Sequence, residues 1–94
     1  MIEWTESALE QLDQVYDYIV LRADNEVAER IGRRILNNVH QLTMFPMSGR
    51  VGRVNGTREL VIADTPFIAA YTIHAGSIVI LALYHGAHQW PEEF

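Results

Sequence analysis

No cysteine occurs among the 94 residues, which excludes disulfides and thiolate metal sites. A reducing, cytoplasmic location is the corresponding expectation. Lysine is absent as well, so all seven basic side chains are arginine. No apolar run approaches the length of a membrane span. The start, Met1-Ile2-Glu3-Trp4, lacks the basic and apolar regions of a secretory signal, so no membrane association is expected. The Asn55-Gly56-Thr57 sequon therefore reads as a turn and not as a glycosylation site. Overall positive charge is lacking too: the formal net charge is −5, unusual for a chain that binds nucleic acid directly. The length implies one domain over residues 1–94, and the 49% hydrophobic content can fill one modest core.

The charge is unevenly placed. Residues 1–29 hold eight acids and one base, Arg22, whereas residues 30–58 hold six arginines and no acid. Such segregation arises either from mutual screening across a helix pair or from a basic patch built for an acidic partner.

Ile2–Trp4 alternates as a short edge strand does. Ala8, Leu12, Val15, Tyr16 and Ile19 recur at helical spacing, behind Thr5 or Ser7 as cap. Tyr18 then falls outside the stripe. Asp24 caps a second helix with the stripe Val27, Ala28, Ile31, Ile35, Val39 and Leu42, ended by Phe45-Pro46 because a residue before proline is driven out of helical geometry. The short link predicts an antiparallel helical hairpin.

Arg50–Val54 before the turn dipeptide Asn55-Gly56 is a candidate short strand. Arg58–Ala63, Phe67–His74 and Ile78–Tyr84 are rich in β-branched and aromatic residues, and short turns join them into a meander. The last is apolar on both faces, as a central strand is. The predicted class is α+β, in the order β-α-α-β-β-β. An αα-hairpin packs on one face of an antiparallel sheet and buries Leu12, Ile19, Ile31, Ile35, Leu60, Ile62, Tyr71, Ile73, Ile80 and Leu83.

That order resembles the RelE/ParE toxins of type II toxin–antitoxin systems. So does the string Gly49-Arg50, Thr57-Arg58-Glu59-Leu60-Val61-Ile62, Pro66-Phe67, Tyr71-Thr72-Ile73, Ile80-Leu81, His85-Gly86 and Gln89-Trp90-Pro91. The resemblance spans nearly the whole chain. It implies a toxin blocked by a cognate antitoxin encoded beside it, with DNA reached only indirectly through the antitoxin. One branch of the family cuts messenger RNA on the ribosome. The ParE branch inhibits DNA gyrase without known hydrolytic chemistry. Ala63 and Ile68 stand where basic strand residues are expected for the RNA-cutting branch, and His88 stands where relatives often carry arginine. The ParE branch is the closer match. A RelE-like endoribonuclease, or a degenerate toxin retained as a co-repressor, are the alternatives.

A ribonuclease would draw its acid or base from His85 or His88 and its cation from Arg50, Arg53 or Arg58. The plainer reading is preferred, with His85 closing a strand end and the arginines pairing with Glu59 and the acidic helix. Arg50, Arg53, Arg58, His88 and Trp90 are the expected target-binding residues. Tyr18, Arg50, Arg53 and Arg58 are the expected antitoxin contacts. His85, His88 and Glu92 fall short of four zinc ligands, and His40 and His74 lie on other elements. Gly49, Gly52 and Gly56 match no phosphate loop. No metal and no cofactor are therefore expected.

Overall fold

The computed structural model describes residues 1–86. In chain order the elements are β1 (Ile2–Trp4), α1 (Glu6–Arg22), α2 (Asn25–His40), a 3-10 turn (Gln41–Thr43), β2 (Arg50–Val51), β3 (Arg58–Val61), β4 (Phe67–His74) and β5 (Ser77–His85). The strands form one sheet in the order β1-β5-β4-β3-β2. Both helices pack on one face of it, giving the expected α+β hairpin-on-sheet arrangement. All pairings are antiparallel except β1 with β5, which is parallel. The parallel pair follows from the connection: the helical hairpin carries the chain from β1 to β2 at the opposite edge, and the strands β2 to β5 return it to β1.

Local chemistry sets the boundaries. Thr5, not Ser7, caps α1, its hydroxyl accepting the Ala8 N–H at 3.1 Å. Asp24 caps α2 by accepting the Val27 N–H at 2.8 Å. The α-helix stops at His40, ahead of Phe45-Pro46, because the 3-10 turn tightens its last carbonyls. β2 is only two residues long, and Ala63 lies in the turn after β3 and not on the strand.

The core holds Ile19, Ile35, Ile62, Tyr71, Ile80 and Leu83, all buried, while Leu12, Ile31 and Leu60 pack half-buried around them. Ile73 departs from expectation at 41% exposed. β3 ends opposite Tyr71, so Ile73 has a strand neighbour on the β5 side alone. Tyr16 is also exposed, on the outer side of the hairpin.

β1 pairs with β5 only as far as Ile80, which leaves the lower part of a central strand with an open edge. Side chains of the first helical segment close it. The Thr5 hydroxyl donates to the Leu81 carbonyl at 3.2 Å, and Gln11 Oε1 accepts the Leu83 N–H at 2.8 Å. Unpaired backbone groups at that depth would be costly, so α1 is fixed to β5 by polar bonds as well as by packing.

Candidate functional site

Three surface features stand out: the sheet edge at β2, and two hollows beside α1 that adjoin at Val15. The first is the sheet edge at β2. Its loop, Met44–Arg53, is held by three side chains of the sheet, Tyr71 and Arg58 from one face and Glu59 from the other. The buried Tyr71 hydroxyl accepts the Gly49 N–H at 3.0 Å and donates to the Pro46 carbonyl at 2.7 Å. Arg58 Nη1 donates to the carbonyls of Gly49 at 2.6 Å and Met47 at 3.3 Å. Glu59 Oε1 accepts from Arg50 Nε at 2.9 Å and pairs with Arg50 Nη2 at 2.9 Å, while its Oε2 accepts the Arg53 N–H at 3.0 Å. Residue 49 must be glycine here, because a Cβ would lie 2.6 Å from the Tyr71 ring.

Glu59 is the unusual member. Its side chain is 2% exposed, against 55% for Arg50. A carboxylate taken out of water is tolerated only with charged or N–H partners, and the arginine and the amide supply them. Glu59 also acts on Tyr84. Burial first, and the Glu59 charge second, push that phenol up to about 12, so Tyr84 is no base near neutral pH.

The second feature is the groove along the outer side of the hairpin. It encloses about 210 Å³ and is lined by Leu12, Val15, Tyr16, Ile19, Ala28, Gly32, Ile35 and Leu36, with Asp13 at its margin. Tyr16 and Leu36 are largely exposed there. Gly32 sits inside α2, where glycine costs about 1 kcal/mol relative to alanine. Among the described residues nothing lies within 4 Å of a Cβ built on it, so no packing among them requires glycine at this position.

The third is a cavity of about 370 Å³ between α1 and the far end of the sheet, lined by Gln11, Gln14, Val15, Tyr18, Phe67, Leu83, Tyr84 and His85. His85 meets Phe67 edge to face at a centroid distance of 5.7 Å. Tyr18 lies here, 4.4 Å beneath the Arg22 guanidinium.

The predicted residues therefore divide. Arg50, Arg53 and Arg58 gather at the β2 edge, whereas Tyr18 and His85 sit at the opposite end. Arg58 is registered with Tyr71 and His85 with Phe67. They are thus four residues apart along β4, about 13 Å at the rise of an extended strand, with β4 itself between them. The Arg58 guanidinium also turns away, towards Gly49. The expectation that the arginines pair with Glu59 holds for Arg50. Arg34 of the basic segment pairs with Asp64 at 2.9 Å, not with the acidic helix. His88 and Trp90, with Glu92, lie outside the described residues.

Sequence reading missed Tyr71 and Glu59 as anchors, and Gly32 as an opening in the groove. A signal for Gly32 was present: a lone glycine within an otherwise regular helical stripe.

Residues 2–90 match the family model described as ParE toxin of type II toxin-antitoxin system, parDE. A relative from Sinorhizobium fredii (strain NBRC 101917 / NGR234), named "Putative toxin Y4kP", is 43% identical over 91 residues, covering 97% of this chain and 93% of its own. The solved structure described as the chromosomal ParDE TA system from P. aeruginosa superposes with a TM-score of 0.82 at 29% identity, over 89% of this chain and 92% of that one.

Proposed function

Because this chain belongs to the ParE toxin family of type II toxin–antitoxin systems, we propose that it arrests growth by inhibiting DNA gyrase without hydrolytic chemistry, and that a cognate antitoxin neutralises it in the cytoplasm. The observation that carries the antitoxin half is the hairpin groove. It offers an apolar trough with an unexplained glycine at its floor, the shape that accepts the apolar face of a partner helix. Asp13 of α1 stands at its margin, so a partner helix that carries a basic side chain on that flank finds complementary charge there.

The non-hydrolytic half rests on the dispersal of the candidate catalytic groups among the described residues. Phosphodiester cleavage needs an acid or base and a cation around one phosphate. Arg50 and Arg58 are committed to Glu59 and to loop carbonyls, and His85 lies a full strand's width and about 13 Å of strand rise away. Tyr84, beside His85, stays protonated.

Expressed alone, the chain should stop growth, and co-expression of the neighbouring antitoxin should restore it. His85→Ala should remain as toxic as the parent. Normal growth on expression would favour the degenerate co-repressor, and loss of toxicity in His85→Ala would favour a ribonuclease.

A further inference from the structure

The β2 edge has a property that its anchoring does not require. Met44, Phe45, Met47 and Val51 are each between 61% and 78% exposed, although the backbone that carries them is pinned by Tyr71, Arg58 and Glu59. Four large apolar side chains within eight residues would normally fold inward. Here Tyr71 and Arg58 hold the backbone from one face of the sheet and Glu59 from the other, and the apolar groups face water. A loop held in one conformation loses little freedom on binding, and methionine, phenylalanine and arginine are the residue types enriched at protein interfaces.

The electrostatics point the same way. The Arg50–Glu59 pair hides its anion and shows its cation. Arg53 is exposed beside it, and no acid other than Glu59 lies between residues 30 and 63. A chain with net charge −5 thus presents a basic, apolar edge. Nucleic acid would be held chiefly through its phosphates, leaving four apolar side chains without purpose.

We propose that the outer side of the Met44–Val51 loop is the surface through which the toxin grips its target, and that the target meets it with an acidic protein face surrounding an apolar hollow. This rests on the toxin reading above but not on the identity of the target. It assigns the loop to the target and leaves the hairpin groove to the antitoxin.

The test pairs growth arrest with antitoxin affinity for Phe45→Ser/Met47→Ser and for Arg53→Glu. All three side chains are exposed; the double serine variant should melt as the parent does, and circular dichroism checks that Arg53→Glu keeps its fold. Each should raise the expression level needed for arrest at least tenfold, while the affinity for antitoxin stays within twofold. Undiminished toxicity would overturn the assignment. A tenfold loss of antitoxin affinity would give the loop to the antitoxin, and loop-dependent binding to a short DNA duplex would give it to nucleic acid. A dimer of the parent that the double serine variant abolishes would give it to a second copy. If the parent does not arrest growth at all, the toxin reading fails and this surface loses its target with it. Parent arrest with equally toxic variants sinks the loop assignment alone.

Discussion

Tyr71→Phe should lower the melting temperature by roughly 10–25 °C, more than most changes of a single oxygen. The hydroxyl serves two backbone groups, accepting from the Gly49 N–H and donating to the Pro46 carbonyl. Removing it leaves the buried Gly49 amide without its bond and weakens the exit from the 3-10 turn. Each orphaned group costs about 1–3 kcal/mol, and a domain of this size shifts its midpoint by about 4–8 °C per kcal/mol. The ring stays in place, so no cavity contributes. Toxicity should fall further than stability, because the Met44–Val51 loop would no longer be held open. Calorimetry on the purified variant, beside a growth assay, reads both. A variant that melts within 3 °C of the parent, the smallest shift distinguishable from ordinary surface noise on the order of 0.5 kcal/mol, would mean that Arg58 and Glu59 suffice to hold the loop.

The second large effect is on binding. Gly32→Trp should weaken the antitoxin complex a hundredfold or more, about 2.8 kcal/mol, while the free chain remains folded. The space for a Cβ at Gly32 is open among the described residues, so the indole can enter the groove that a partner helix would occupy. Gly32→Ala is the control. It should stabilise the free chain by about 1 kcal/mol through helix propensity, with at most a modest loss of affinity. The contrast between an alanine that stabilises and a tryptophan that blocks separates a groove kept open for a partner from a glycine of no consequence. Equal affinity for parent and Gly32→Trp would place the antitoxin elsewhere, with Tyr18 and the cavity beside it the next surface to examine.

Periodicity was enough for the layer architecture, and the reason is visible in particular residues. The stripes of α1 and α2 converge on Ile19 and Ile35, and the doubly apolar run from Ile78 to Leu83 lies centrally in the sheet as its composition requires. What periodicity did not carry was pairing. Whether β1 joins β5 in parallel depends on a crossover, and three residues contain no trace of it. Ile73 reads as core by alternation, yet the neighbouring strand stops two residues short of it. The length of β2 was likewise overestimated, since Gly52 to Thr57 close the turn instead.

The site was less legible. Arg50, Arg53 and Arg58 cluster as their spacing suggested, but Arg50 and Arg58 turn out to be fasteners for a loop. Glu59 looked like one acid in a strand and is a buried anchor for that loop, a role that depends on burial and not on local pattern. Phe45-Pro46-Met47 was read only as a helix terminator. Its outward side chains become meaningful once the loop's backbone is known to be anchored.

The most direct test of the central claim is a side-by-side assay of the purified chain on gyrase supercoiling of a relaxed plasmid and on translated messenger RNA. The account predicts dose-dependent loss of supercoiling that stoichiometric antitoxin reverses, with transcripts left intact. Codon-dependent transcript cleavage, with supercoiling unaffected, would contradict it.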